Sequence, residues 1–155
     1  MDKNALLEWD SKHNAMKRTK EYYWHTYKKW RDENKDDYHR MFSGKLYDDF
    51  ISVQERAMYL KYSFNTVEAT IYCSVHIFYV EEPIGTYDVE FFLNGEVADD
   101  YLDFERDIIT GQIARVKHSL KIARNALKLG LDVSDVAKIV GIPLRYIKML
   151  KEKHS

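Results

Sequence analysis

Two sets of residues have the types and spacing to do chemistry, and they carry opposite charge. The first lies in the run Asp132-Val-Ser-Asp-Val-Ala-Lys-Ile-Val-Gly-Ile-Pro-Leu-Arg-Tyr-Ile-Lys-Met-Leu150. If its last helix enters a major groove, Leu144, Arg145, Tyr146, Lys148 and Met149 face the bases, and Lys138 and Lys151 are placed for phosphates. The second set is Glu68, Asp88, Glu90, Glu96, Asp99 and Asp100, whose chemistry is attraction of a basic surface. Such acids could occupy a groove that an enzyme keeps for nucleic-acid phosphates.

A metal-dependent reaction is the third chemistry to test. Asp88 and Glu90 share one face of a strand, and Glu68 or Glu81 could stand opposite to complete a divalent-metal site. A nuclease of that type wants a basic or amide residue two positions after the second acid, where Phe92 stands. The histidines at 13, 25, 39, 76, 118 and 154 show no His-x-x-x-His spacing, and the glycines are scattered singly, without a phosphate-cradling loop. Cys73 is the only cysteine, so neither an internal disulfide nor a cysteine-based zinc site is available, and it reads as a buried strand residue. The expectation is therefore no catalytic residue, no metal and no cofactor.

The charge balance divides along the chain. The 155 residues have a net charge of -1, but residues 1–45 carry plus 3, residues 46–111 minus 11 and residues 112–155 plus 7. The basic end coincides with the groove-reading run, and the acidic middle with the second set.

Local signals define the elements that must position these residues. Asp132 caps a short helix with Asp135 three residues on, Gly141 supplies a left-handed turn, and a last helix runs from Pro143 to about Lys151. Ala137 is small where the two helices cross, and Val136, Val140, Ile142, Ile147 and Leu150 face a shared core, the order of a helix-turn-helix. Upstream, Thr110 caps a helix from Gly111 to Leu129 that Gly130 stops. In the middle, period-two alternation predicts strands over about 56–64, 67–80 and 86–93, with Glu81-Glu-Pro-Ile-Gly85 as a turn and Asn94-Gly95 as a two-residue hairpin. At the start, Leu6, Trp9, His13, Met16, Lys20, Tyr23, Tyr27 and Trp30 form one stripe of an unbroken helix over 3–35. That stripe could pair with a second copy, and the basic and aromatic run Lys17 to Arg31 has the composition of single-strand binders, although burial explains its aromatics better.

Residues 111–151, above all Lys121-Ile-Ala-Arg-Asn-Ala-Leu-Lys-Leu-Gly-Leu-Asp132 and the run that follows it, resemble the carboxyl-terminal tail of the recombination-promoting nuclease and transposase-like family of bacterial mobile elements. The family's tails usually have Ser where Pro143 stands, and its metal-dependent core, an acidic pair followed by Lys or Gln, has no residue-by-residue match here. The resemblance therefore implies a helix-turn-helix-like tail and a mobile-element setting, and it transfers no catalytic residue.

The expected fold is α+β: a long amino-terminal helix, a small antiparallel sheet of three or four strands, and a carboxyl-terminal three-helix unit, divided as 1–110 and 111–155. The leading functional expectation is a non-enzymatic phage or mobile-element protein that binds duplex DNA through residues 132–151, as a homodimer built on the long helix. Its rivals are an inhibitor docking its acidic sheet on a basic nucleic-acid-binding protein, such as a bacterial defence nuclease, and a divergent metal-dependent nuclease. With no apolar run long enough for a membrane and no signal-like start, the expected location is the cytoplasm, with no membrane partner.

Overall fold

The computed structural model describes residues 1–154, and for 106–110 the backbone alone. The fold is α+β, six helices and a four-stranded antiparallel sheet of order β1-β2-β3-β4. The chain runs α1 (Lys3–His13), α2 (Ala15–Glu33), α3 (Lys35–Phe42), a single 3₁₀ turn (Asp48–Phe50), β1 (Ile51–Lys61), β2 (Thr70–Tyr79), β3 (Glu82–Phe92), β4 (Val97–Phe104), α4 (Arg106–Lys128), α5 (Val133–Val140) and α6 (Leu144–Lys153). These form two compact units. The first comprises residues 1–35, 53–78 and 83–105, and the second residues 36–52, 79–82 and 106–155. The carboxyl-terminal helices thus share their unit with two earlier pieces of chain, and 111–155 does not stand as a separate tail.

In the first unit, the amino-terminal helix is broken. Asn14 has φ 51° and serves as both the end of α1 and the start of α2. Asparagine tolerates this left-handed conformation better than most residues, which is why no glycine or proline marks the corner. The Met16 amide donates to the Asp10 carboxylate at 2.7 Å across the corner. The aromatic stripe then lies on the sheet. Tyr23 packs edge-on to Tyr87, Tyr27 to Phe104 and Trp9 to Phe91, while the Trp9 indole N–H donates to the Leu93 carbonyl at 2.8 Å. Tyr23 and Tyr27 are fully buried, so they are not available to stack bases, and the apolar stripe is no longer a surface for pairing with a second copy. The homodimer expectation loses the face it rested on.

The sheet differs from the expected strands at several points. β1 starts at Ile51 and ends at Lys61, so Tyr62 and Phe64 fall in the following loop and are exposed. The β2–β3 turn is made by Val80 and Glu81, at φ 47° and 67°, and Glu82 to Gly85 belong to β3. Between β3 and β4, Gly95 at φ 90° closes a loop of three residues, Leu93 to Gly95, with the Phe92 amide donating to the Glu96 carbonyl. Asn94-Gly95 is therefore not a two-residue turn, because only Gly95 takes positive φ. β4 lies outside the predicted strands, since its aspartates are poor strand formers; it pairs Gly85 with Phe104, Thr86 with Asp103, Asp88 with Tyr101 and Glu90 with Asp99.

The second unit holds the helix-turn-helix. The Asp132 carboxylate accepts from the Ser134 amide at 3.0 Å, and Gly141 at φ 68° ends α5. Of the five positions expected to face the shared core, Val136, Ile142, Ile147 and Leu150 are buried and Val140 is half-buried. α4 begins at Arg106 instead of Gly111, which puts Thr110 inside the helix; its side chain is outside the described residues.

Gly85 is the tightest backbone approach in the sheet. A Cβ there would lie 2.3 Å from the Asp103 carbonyl oxygen, a backbone atom that cannot rotate away. Gly85→Ala is expected to lower the unfolding free energy by about 1–3 kcal/mol in urea titrations. Gly111→Ala, in a helix with open space around it, should be neutral or stabilising by up to about 1 kcal/mol.

Candidate functional site

The basic set sits on α5 and α6 of the second unit. Along α6, Tyr146, Ile147 and Leu150 turn inward, leaving a face of Leu144, Arg145, Lys148, Met149, Lys151 and Glu152. Arg145, Lys148 and Lys151 are exposed on that face, Leu144 and Met149 half-buried, and Lys138 is exposed on α5. Tyr146 is the exception among the expected groove residues. It is buried, edge-on to Phe50 with ring centroids 5.4 Å apart, so it is a packing residue. Spacing alone does not separate the two roles because the segment it packs on, Tyr47 to Phe50, lies almost a hundred positions upstream.

Arg145 is held in place from two sides. Its guanidinium lies 4.7 Å from the centre of the Tyr146 ring and donates to the Tyr146 hydroxyl at 2.9 Å, and it also forms an ion pair with Glu81 at the β2–β3 turn. With its side chain 61% exposed, it remains open to solvent and keeps donors for a further acceptor. At the far end of α6, the His154 ring stacks on Tyr47 at 4.0 Å and shares a hydrogen bond with Asp49 at 3.0 Å. The helix is thus pinned along its inner side by Tyr47, Asp49 and Phe50, while on its outer side Arg145 is paired with Glu81 and Lys148 and Lys151 are exposed.

The acidic set separates into three places in the first unit. Asp88, Glu90 and Asp99 share the sheet face turned away from α1 and α2, with Asp103 on the same face. Asp100 points to the helical side, where it accepts from the Tyr87 hydroxyl at 2.7 Å and from Thr26 at 3.1 Å. Glu68 and Glu96 line a pocket of about 500 Å³ with Val67, Phe92, Leu93 and Asn94. The six acids are therefore not one surface, because strand alternation sends Asp99 and Asp100 to opposite sides.

Around Glu90 the sheet builds a network that the charge count does not reveal. Its carboxylate accepts from Thr70 at 2.6 Å, Tyr72 at 2.8 Å and Tyr101 at 3.3 Å. Burial alone would raise its pKa, but these hydroxyl donors and the Lys61 ammonium together hold it below the usual carboxylate value. Lys61 lies 5.0 Å from the centre of the Tyr72 ring and donates to its hydroxyl at 3.1 Å. The Tyr59, Tyr72 and Tyr101 rings stack nearly parallel, 5.2 and 6.1 Å between centroids, although the residues come from three different strands.

Among the described residues, no three His, Cys, Asp or Glu side chains come together as a metal site. Glu81 is paired with Arg145, and Glu68 lines its pocket. Cys73 is buried, and burial pushes its thiol up to about 12, which leaves no thiolate for nucleophilic attack. Among the described residues, no helix is long and apolar enough to cross a membrane. Compared with family models, curated protein sequences and solved structures, the chain matches none.

The lowered pKa of Glu90 predicts a pH dependence. A carboxylate whose folded pKa lies below its unfolded value stabilises the fold fully above the unfolded value, and that contribution is lost as pH falls through the folded one. Glu90→Gln is expected to lower the thermal midpoint at pH 7, with the gap to the parent protein closing in acid below the usual carboxylate value. Melting curves across pH 2–7, an interval set by ordinary carboxylate titration at about 4.3, check this.

Proposed function

We propose that this chain binds duplex DNA through the open face of α6, with Arg145 and Lys148 at the groove and Lys138 and Lys151 on flanking phosphates. The observation that carries the reading is the exposed basic face itself: in a three-helix unit ordered as a helix-turn-helix, the second helix after the Gly141 turn keeps its cations outward while its apolar side is fully used. Electrostatics point the same way. The second unit carries 13 basic and 10 acidic groups, net plus 3, against 11 and 15 in the first, net minus 4. Leu144 and Met149, half-buried beside the cations, are placed for apolar contact with a thymine methyl.

Arg145 is the residue on which specificity would depend. Stacked on Tyr146 and paired with Glu81, its fork is ordered before any ligand arrives, which lowers the entropy lost when it meets a guanine edge or a phosphate. The setting we propose, a phage or mobile-element protein without catalysis of its own, rests on the resemblance of residues 111–151 to a nuclease and transposase-like tail.

The double substitution Arg145→Ala with Lys148→Ala is expected to abolish salt-sensitive duplex binding, measured by fluorescence anisotropy, with the melting curve unchanged. Each phosphate that a cation neutralises adds about 0.9 to the slope of log affinity against log salt, so Lys138→Ala with Lys151→Ala, which leaves the groove residues in place, should flatten that slope by about 2. Tyr146→Ala should instead act through stability, at a cost of about 3 kcal/mol or more. Duplex affinity unmoved by the double substitution would sink the reading.

A further inference from the structure

We propose that the sheet face turned away from α1 and α2 is a docking surface for an arginine-bearing segment of a basic protein. This goes beyond the DNA-binding reading and stands without it, since it concerns a different unit of the fold. Its residues are Tyr59, Tyr72 and Tyr101 with Asp88, Asp99 and Asp103, and beside them Glu90 accepts from the Tyr72 and Tyr101 hydroxyls.

Exposed carboxylates alone would mark only a solvated surface; three further features set this face apart. The first is the tyrosine ladder, whose outer members, Tyr59 and Tyr101, are 45% and 44% exposed. A flat aromatic surface beside carboxylates suits the planar guanidinium, which stacks and donates in a fork, better than the compact, strongly hydrated ammonium. The second is Lys61, whose ammonium already lies over Tyr72 and bonds its hydroxyl, so one cation of the chain itself uses this surface.

The third is a local conflict. Glu90 and Asp99 stand directly opposite each other across β3 and β4, an arrangement that sheets disfavour for like charges. The Tyr101 hydroxyl, 3.3 Å from Glu90 and 3.2 Å from Asp99, has one proton for two carboxylates. An arriving guanidinium supplies the missing donors and relieves the repulsion. Charge complementarity extends past this pair, because residues 83–105 carry seven acidic groups, five of them on β3 and β4, and no basic one. A segment that lies in a phosphate-binding groove has the matching arginines, so the partner of stated chemistry is a nucleic-acid-handling protein engaged through that groove.

The test uses the intact chain with two probes, nona-arginine and nona-lysine peptides, followed by calorimetry beside melting curves of the free protein. The expected result is about three- to fivefold tighter binding of the arginine peptide, a preference that Tyr101→Phe keeps and Tyr101→Ala removes. Asp99→Asn should raise the thermal midpoint of the free protein while weakening the arginine peptide by a similar factor, a combination that a merely structural aspartate would not produce. Equal affinity for the two peptides would reduce the face to general counter-ion attraction and overturn the proposal. So would arginine-peptide binding unaltered by Asp99→Asn, a single-stranded oligonucleotide that displaces the arginine peptide from the parent protein but not from the Tyr101→Ala variant, or self-association lost in Asp99→Asn, which would assign the face to a second copy.

Discussion

Burial of the amino-terminal aromatic stripe against one side of the sheet is the constraint from which the rest of the first unit follows. Tyr23 and Tyr27, fully buried, together with Trp9, cover the face made by Tyr87, Val89, Phe91 and Phe104. Each large side chain so removed from water is worth about 1.5–3 kcal/mol relative to exposure, far more than any surface ion pair in the unit. The stripe needs the corner at Asn14, because α1 and α2 must lie on the same sheet from different directions. Once it is used this way, β3 is fixed in register with Tyr87, Val89 and Phe91 inward, and Asp88 and Glu90 can only turn to the other side. The polar face is thus a consequence of the apolar one.

That polar face explains the buried even-numbered side of β2. Thr70, Tyr72 and Ser74 are as enclosed as core residues. Long neighbours reach over them: the Arg56 guanidinium reaches Ser74 at 3.2 Å, Lys61 reaches Tyr72, and Glu90 spans Thr70 and Tyr72. Hydroxyls and carboxylates in one network satisfy one another, which is what permits polar groups to be this enclosed. The exception is the opposed pair Glu90 and Asp99. That pair departs from the rules of cross-strand pairing, and such departures are where binding surfaces are expected.

How much of this is legible in the sequence depends on whether the deciding contact is local. α5, its Asp132 cap, the Gly141 turn and α6 can be read to within two residues, because capping and turn chemistry act over three or four positions. The alternation of β2 is equally plain. The corner at Asn14 is not, since asparagine gives a weaker signal than glycine for a left-handed residue. β4 escapes because three aspartates in Val97-Ala-Asp-Asp-Tyr-Leu-Asp-Phe104 hide its alternation; as an edge strand, it carries charge where a central strand would not tolerate it. Tyr146 reads as outward because its partner, Phe50, is invisible at such separation, and Asp99 and Asp100 group together because charge counting ignores which face a strand residue takes. The tyrosine ladder joins three strands and has no signature along any one of them.

The turn between β2 and β3 shows how the second unit fixes Arg145. Val80 at φ 47° is β-branched, and such a residue in the left-handed region costs about 1–3 kcal/mol, so something must hold it there. Its side chain is buried and its amide donates to the Phe50 carbonyl at 3.1 Å. Phe50 is also the ring on which Tyr146 packs. One residue of an irregular segment therefore anchors both the strained turn, which carries Glu81, and the helix, which carries Arg145. The ion pair between those two is exposed and worth little by itself. What gives it definition is that both its ends are carried by backbone referred to the same phenylalanine, so the arginine is oriented by packing and only trimmed by charge. An arginine set in this way can exchange Glu81 for another acceptor without any rearrangement of the helix that bears it.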